Sequence, residues 1–356
     1  MKIGIIGLPQ SGKTTLFQLL TNNVNTKASS KANIGVARVI DPRVTKLSQI
    51  FNPKKTTYAT IEMVDFSSLP KGQLKNDNPL LQALKDVDAI VQVIRAFGSE
   101  PLLTGDEDVN PMNELAQIQS ELIVSDWSLL ETRLERIEKE RAKGVSAAGA
   151  KEIALLNSCK DTLEQDLPLW TLELSTEEEK LIRGYNFLTR KPLLIVVNVD
   201  EEQMRQHSYP QQGNLEAWAD ERGIPVIMIS GQVEKEISQL DEPDRSLFMA
   251  DLGITESGIE RLSRAVYAHL GLISYFTVGE DEVRAWTIVQ GTNAKQAAGK
   301  IHSDLERGFI RAEVVSYEDF INAGSMQKAK EKGLFRLEGK EYVVQDGDII
   351  SIRFKV

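Results

Sequence analysis

Six short apolar runs, at residues 2–6, 34–40, 60–64, 89–94, 193–198 and 225–230, punctuate the first 230 positions of the chain. Each is rich in Ile, Val or Leu, and the segments between them carry helical spacing or turn residues. That alternation predicts a mainly parallel, doubly wound α/β sheet. Between the fourth and fifth runs lie about a hundred residues with no strand pattern. There Leu115, Ile118, Leu122, Leu129 or Leu130, Leu134 and Ile137 recur at threes, fours and sevens. Lys143-Gly144-Val145-Ser146 breaks the series, and Ile153, Leu156, Leu163 and Leu167 resume it. Two amphipathic helices joined by a short Gly-containing loop predict an antiparallel coiled-coil hairpin inserted in the α/β domain. The alternative is two extra helices packed flat on the sheet.

After Gly271 the pattern changes again. Strand-like runs at 284–289, 309–315, 342–344 and 348–354, with a helical stretch at 293–305, predict a small α+β module with a separate core. The domain boundaries expected on this pattern are 1–112 with 190–272 for the α/β domain, 113–189 for the insertion and 273–356 for the module.

Composition narrows the classes. The formal charge of −10 argues against a protein that coats nucleic acid wholesale, although a local basic patch can still dock on RNA. Residues 274–356 hold 12 Lys and Arg against 13 Asp and Glu, so the acidity lies elsewhere and this module is the less repelled by RNA. The single cysteine, Cys159, excludes an internal disulfide and a cysteine-based zinc site. His207, His269 and His302 are dispersed and form no HExxH pair. No stretch approaches the ~20 apolar residues of a membrane span, and the expected location is the cytoplasm. Arg133, Arg136, Lys139, Arg141 and Lys143 alternate with Glu131, Glu135, Glu138 and Glu140, the pattern of a solvated helix face rather than an RNA contact.

The chemistry is concentrated in Gly7-Leu8-Pro9-Gln10-Ser11-Gly12-Lys13-Thr14-Thr15, set between the first strand run and a helical segment. Glycines let the backbone wrap phosphates so that successive N–H groups and the helix N-terminus face the anion. Lys13 supplies charge to the β and γ oxygens, and Thr14 offers a hydroxyl to Mg²⁺. Thr60-Ile61-Glu62-Met63-Val64-Asp65 ends a strand in a carboxylate, where nucleotide hydrolases hold Mg²⁺ through water. Ile195-Val196-Val197-Asn198-Val199-Asp200-Glu201 delivers an Asn and an acid to the carboxyl edge of the sheet, where open α/β folds bind ligands; an Asx turn ending the strand is the competing reading. Ile227-Met228-Ile229-Ser230-Gly231 ends at the same edge and is a candidate lining of the base pocket.

These residues closely resemble the YchF or Obg-like ATPases, a branch of the Obg-related translation-factor NTPases. The likeness spans nearly the whole chain. It rests on Gly7-Leu8-Pro9, on Pro42-Arg43 followed by Leu47, on Leu188-Thr189-Arg190-Lys191-Pro192 before Asn198-Val199-Asp200-Glu201, and above all on the C-terminal segments. Those are Tyr275-Phe276-Thr277, Glu282-Val283-Arg284-Ala285-Trp286-Thr287-Ile288, Gln296-Ala297-Ala298-Gly299, Gly308-Phe309-Ile310-Arg311-Ala312-Glu313-Val314 and Val344-Gln345-Asp346-Gly347-Asp348, which are similar to the family's TGS domain. The resemblance implies a P-loop nucleotide domain, a coiled-coil insertion and a ubiquitin-like TGS module. It further implies a preference for ATP over GTP, slow hydrolysis with Mg²⁺, and association with the ribosome or ribosomal RNA through the TGS and coiled-coil parts, with no DNA or membrane partner.

On this reading Gly7, Gln10, Ser11, Gly12, Lys13, Thr14, Thr15, Asn198, Val199, Glu201 and Ser230 contact nucleotide. Lys13 and Asp65 serve catalysis, and Thr14, Asp65 and Ser29 hold the metal. The chain also departs from the family pattern. Gln10 replaces the usual Asn, which bears on any monovalent cation there; Asp65-Phe66-Ser67-Ser68 replaces Asp-x-x-Gly; and the segment after it is shortened to Pro70 through Pro79. Ser29 is the nearest equivalent of the switch threonine, and Leu69 stands where Ras-like enzymes place a water-orienting Gln. These changes leave binding intact and weaken the case for efficient hydrolysis. A non-hydrolysing nucleotide-sensing adaptor and a conventional GTPase are the alternatives.

Overall fold

Strands β1 (Lys2–Gly7), β2 (Asn33–Val39), β3 (Lys55–Thr57), β4 (Ala59–Asp65), β5 (Ala89–Arg95), β6 (Leu193–Asn198) and β7 (Val226–Ile229) follow the apolar runs, β3 being the one without such a run. The structure is a computed structural model that describes residues 1–22, 32–66, 79–98, 109–144 and 149–355. Six of these strands form one sheet in the order β2-β4-β1-β5-β6-β7. The β1 pairings with β4 and β5, the β5–β6 pairing and the β6–β7 pairing are all parallel. Ile3, Ile5 and Ile6 of β1 and Ile195 and Val197 of β6 are fully buried, as a sheet covered on both faces requires. Two compact units divide the chain: Met1–Val36 with Glu62–Ile259, and Ala37–Ile61 with Glu260–Val356.

The helical insertion of the first unit is a hairpin. Helix Pro111–Ala142 is 32 residues long and helix Ala150–Glu164 is 15. Trp127 Nε1 donates to Glu164 Oε1 at 3.3 Å, whereas Arg133, further along the first helix, pairs with Glu152 near the start of the second. The two therefore run antiparallel. The apolar series seen in the sequence splits between two cores. Leu115, Ile118 and Leu122 pack under the sheet with Ile90 and Ile94, while Ile123, Leu130 and Ile137 meet Leu156, Cys159 and Leu163 in the hairpin's own core. Leu167, read as part of the second arm, lies beyond its end and is 44% exposed.

Asp126 closes the base of this hairpin. It is fully buried, and its carboxylate accepts from the backbone N–H groups of Leu188 at 2.9 Å and Thr189 at 2.8 Å and from the Thr189 hydroxyl at 2.7 Å. That hydroxyl in turn accepts from the Leu169 N–H at 3.1 Å. Asp126→Ala strands three donors in a dry core, at a cost of about 3 kcal/mol. A fall in Tm of roughly 5–10 °C is expected by differential scanning fluorimetry; an unchanged Tm would show that water replaces the carboxylate.

The second unit is an α+β module. Its strands are β8 (Leu272–Thr277), β9 (Glu282–Val289), β10 (Phe309–Ser316), β11 (Arg336–Glu338) and β12 (Asp348–Phe354), ordered β11-β10-β12-β8-β9-β3. β8 and β9 are antiparallel and β12 runs parallel to β8. Helix Ala294–Ile301 lays Ala294 and Ala297 against Tyr275, Ile288, Val314 and Ile350. The 342–344 run, expected as a strand, makes a single bridge between Asn293 and Val343. Residues 37–61 pack with this module. β3 adds to β9 in parallel, Lys55 facing Glu282, and Phe51 stacks on Phe320 with centroids 5.5 Å apart. Arg43 bonds Asp41 and, at 2.7 Å, Asp346.

Candidate functional site

β1 delivers the chain into the phosphate loop, and helix Lys13–Thr21 carries it away. A side chain at Gly7 would meet the Val93 carbonyl and lie 2.7 Å from Ser11 Oγ, so only hydrogen fits there. Gly12 has φ +93°, and a Cβ on it would overlap the Asn198 amide. Gln10 also adopts a left-handed φ of 63°, which an L-residue holds only when its surroundings enforce it. The loop is thus built around backbone positions where side chains are excluded or strained, and its Ser11 N–H is bonded to the Leu8 carbonyl at 3.3 Å.

Lys13 is 4% exposed and its Nζ donates to the Leu8 carbonyl at 2.7 Å, folded back across the loop. Burial lowers its pKa, and the charges of Asp65 and Glu114 pull it back up. Asp65 ends β4 fully buried. Its Oδ2 accepts from the Thr14 hydroxyl at 3.2 Å, and its Oδ1 has no partner among the described residues. Burial raises its pKa, against hydrogen bonds from Thr14 and Asn33 and the charge of Lys13. A buried carboxylate oxygen left open beside a threonine hydroxyl is a hard-oxygen donor pair, and it fits Mg²⁺, which takes few protein ligands and keeps much of its water. No cluster of three or more His, Cys, Asp or Glu occurs among the described residues. Ser29 and the Ser67–Leu69 stretch lie outside the described residues.

A cavity of about 520 Å³ opens over the loop, a size suited to a small-molecule ligand. It is lined by Gln10, Gly12, Lys13, Thr14 and Thr15 of the loop and helix start, together with Phe97, Asn198, Gly231, Gln232 and Lys235. Asn198 is 8% exposed and braces the site: its Nδ2 donates to the Ser11 carbonyl at 2.9 Å and its Oδ1 accepts from the Gly231 N–H at 2.9 Å.

Gly7, Ser11, Val199, Glu201 and Ser230, expected against the nucleotide, do not line this cavity; Gly7 and Ser11 are part of the loop beneath it. Val199 is 2% exposed and belongs to the apolar core. Glu201 opens helix Glu201–Gln206 and pairs with Arg205 at 3.1 Å. Ser230 is buried and caps helix Gly231–Ile237, its hydroxyl accepting from the Val233 N–H at 3.4 Å. Asp200 likewise caps its helix, accepting from the Gln203 N–H at 2.8 Å. The Asx-type cap that competed with a ligand role is therefore what Asp200 does. Sequence reading missed Phe97, Gln232 and Lys235. Their signal was positional, since Phe97 lies two residues past β5 at the sheet's carboxyl edge and Gln232 and Lys235 share one helix face after Ser230.

A phosphate loop between the first strand and first helix of a parallel sheet, a strand-end aspartate beside the loop threonine, and a cavity over both define a P-loop NTPase. Residues 2–126 match a family profile described as "50S ribosome-binding GTPase", and residues 272–355 match the YchF-GTPase_C profile, described as a protein of unknown function. The chain is 40% identical to the "Ribosome-binding ATPase YchF" of Bacillus subtilis (strain 168), with 99% of each chain covered. It is also 40% identical to the protein of that name from Escherichia coli O157:H7, over 100% of this chain and 99% of the relative. The structure titled "Structure of the Schizosaccharomyces pombe YchF GTPase" superposes with a TM-score of 0.87 at 30% identity, covering 99% of this chain and 97% of that one. The chain belongs to the YchF family.

Proposed function

We propose that this protein binds ATP with Mg²⁺, hydrolyses it slowly, accepts GTP less well, and uses the nucleotide to switch conformation in association with the ribosome in the cytoplasm. The observation that carries the base preference is the cavity lining, which holds no Asp or Glu among the described residues. Reading guanine takes a carboxylate in the base plane to accept from the ring N–H and the exocyclic amine. Here Asp200 is committed to its helix cap and Glu201 to Arg205. Swinging either inward breaks those bonds. Adenine asks only for acceptors near its amine, and Phe97 offers an apolar face to a purine ring. Lys13 and the loop N–H groups hold the phosphates. When bound, Mg²⁺ neutralises charge on the β and γ oxygens; Thr14 and Asp65 are the residues that would hold it, Asp65 through water.

Slow turnover is supported by Leu69 where a water-orienting amide is usual and by Ser68 where Gly is usual. The ribosomal partner is supported by the names of the relatives and of the family that residues 2–126 match. The helical hairpin and the C-terminal module are the surfaces proposed to make that contact. No described helix is long and apolar enough to cross a membrane.

Calorimetric titration with MgATP and MgGTP tests the base assignment. A lost bidentate contact is worth about 1–3 kcal/mol, so ATP is expected to bind roughly ten- to a hundredfold tighter. Tighter binding of GTP would overturn the reading and favour a conventional GTPase.

A further inference from the structure

Helix Gly231–Ile237 is held firmly in place. Val233 and Ile237 pack with Met249 and Leu252, and Glu234 Oε1 accepts from the Gly258 N–H at 2.6 Å. Its first residue is pinned as well, the Gly231 N–H donating to Asn198, whose amide also holds the Ser11 carbonyl of the phosphate loop. Gln232 and Lys235, three residues apart on one helix face, line the cavity. Of the other polar side chains lining it, Gln10, Lys13, Thr14 and Thr15 belong to the phosphate loop and the helix it opens, and both ends of the Asn198 amide are bonded. Lys235 has donors only. Gln232 is left as the lining side chain beyond the loop that can accept a hydrogen bond, and no described residue donates to its Oε1. Its amide is also oriented, Nε2 donating to Glu236 Oε1 at 3.4 Å one turn on. A carboxylate accepts only, so the reversed amide would set oxygen against oxygen, and the Gln232 oxygen is kept on the side away from Glu236.

We propose that Gln232 is a specificity-determining residue for the base: its Oε1 accepts from the 6-amine of adenine, and Glu236 fixes the amide in the orientation that does so. The inference rests on reading the cavity as an ATP site and supplies the acceptor which that reading requires. The second Nε2 hydrogen, not used by Glu236, is a donor for a ring nitrogen next to the amine, the paired contact by which an amide reads adenine. Guanine carries a carbonyl where adenine carries the amine. The Gln232 oxygen repels it, and turning the amide over to suit guanine breaks the bond to Glu236 and sets two oxygens together. Discrimination thus comes from an amide locked across one helix turn. Lys235, a donor to either base or to phosphate, does not tell the two apart.

Gln232→Met keeps the length of the side chain and removes the amide. Calorimetry on the full chain with Mg²⁺ is expected to show ATP binding roughly three- to tenfold weaker than to wild type. The triphosphate of purine riboside, which has the adenine ring without its amine, should bind both proteins alike, and GTP should bind the variant no more weakly. Glu236→Ala, which frees the amide to turn, is expected to narrow the ATP-to-GTP ratio about threefold or more, chiefly by tightening GTP. Unchanged ATP affinity in Gln232→Met, or an equal loss for ATP and the purine riboside nucleotide, would overturn the proposal, as would an unaltered ratio in Glu236→Ala. Gln232→Ala must show the same pattern should the Met variant fail to melt cooperatively. Wild-type protein that did not prefer ATP to GTP would reject the base reading itself, an outcome distinct from a wild-type preference that Gln232→Met leaves intact.

Discussion

Replacing Lys13 by Ala is expected to weaken MgATP binding about a hundredfold and to leave the fold intact. The side chain is buried and already folded across the loop onto the Leu8 carbonyl, so its ammonium lies beside the place where phosphates sit. Two charge-assisted hydrogen bonds at about 1.5 kcal/mol or more each give a loss near 3 kcal/mol, which is two decades of affinity. Stability changes little, because the acceptor released is a loop carbonyl that water reaches once the side chain is gone. Titration calorimetry on the variant, with a thermal melt as control, measures both. Wild-type affinity in Lys13→Ala would remove the phosphate loop from the account.

Thr14→Ala is expected to act on turnover more than on binding. Its hydroxyl is the donor to Asp65 Oδ2 and, on the proposed reading, the direct protein ligand of Mg²⁺. Losing a metal ligand in the transition state at about 2.7 kcal/mol slows hydrolysis roughly a hundredfold, while affinity falls less than tenfold because Lys13 and the loop N–H groups remain. Thr14→Ser keeps the oxygen and should restore most of the rate. Equal rates for Thr14→Ala and wild type, or wild-type activity that is the same without Mg²⁺, would contradict the metal assignment.

Much of this site was legible in the sequence because its signals are local. The loop motif, the strand before it and the helix after it adjoin in sequence, and Asp65 closes a strand-like run in which Thr60, Ile61 and Val64 are β-branched. Local signals also misled. Asn198-Val199-Asp200-Glu201 reads as a ligand-facing segment at the carboxyl edge of a strand, yet only Asn198 turns toward the cavity. Val199 faces the core, and the two acids serve the next helix, as an Asp followed three residues later by Gln at a helix start predicts. Residues 37–61 sit between two strands of the parallel sheet, and nothing near them reports that they pack with a module more than two hundred residues away. That association depends on β3 adding to β9, on Phe51 meeting Phe320 and on Arg43 meeting Asp346, pairings too distant in sequence for periodicity to register.

Hydrolysis is the centre of the account, and single-turnover assay of the wild-type protein tests it most directly. Enzyme in excess over labelled ATP, with Mg²⁺, is expected to convert the nucleotide to ADP and phosphate slowly but completely, and Lys13→Ala to convert none above the solution background. Triphosphate that stays bound and intact for hours would contradict the account and leave a nucleotide-sensing adaptor in its place.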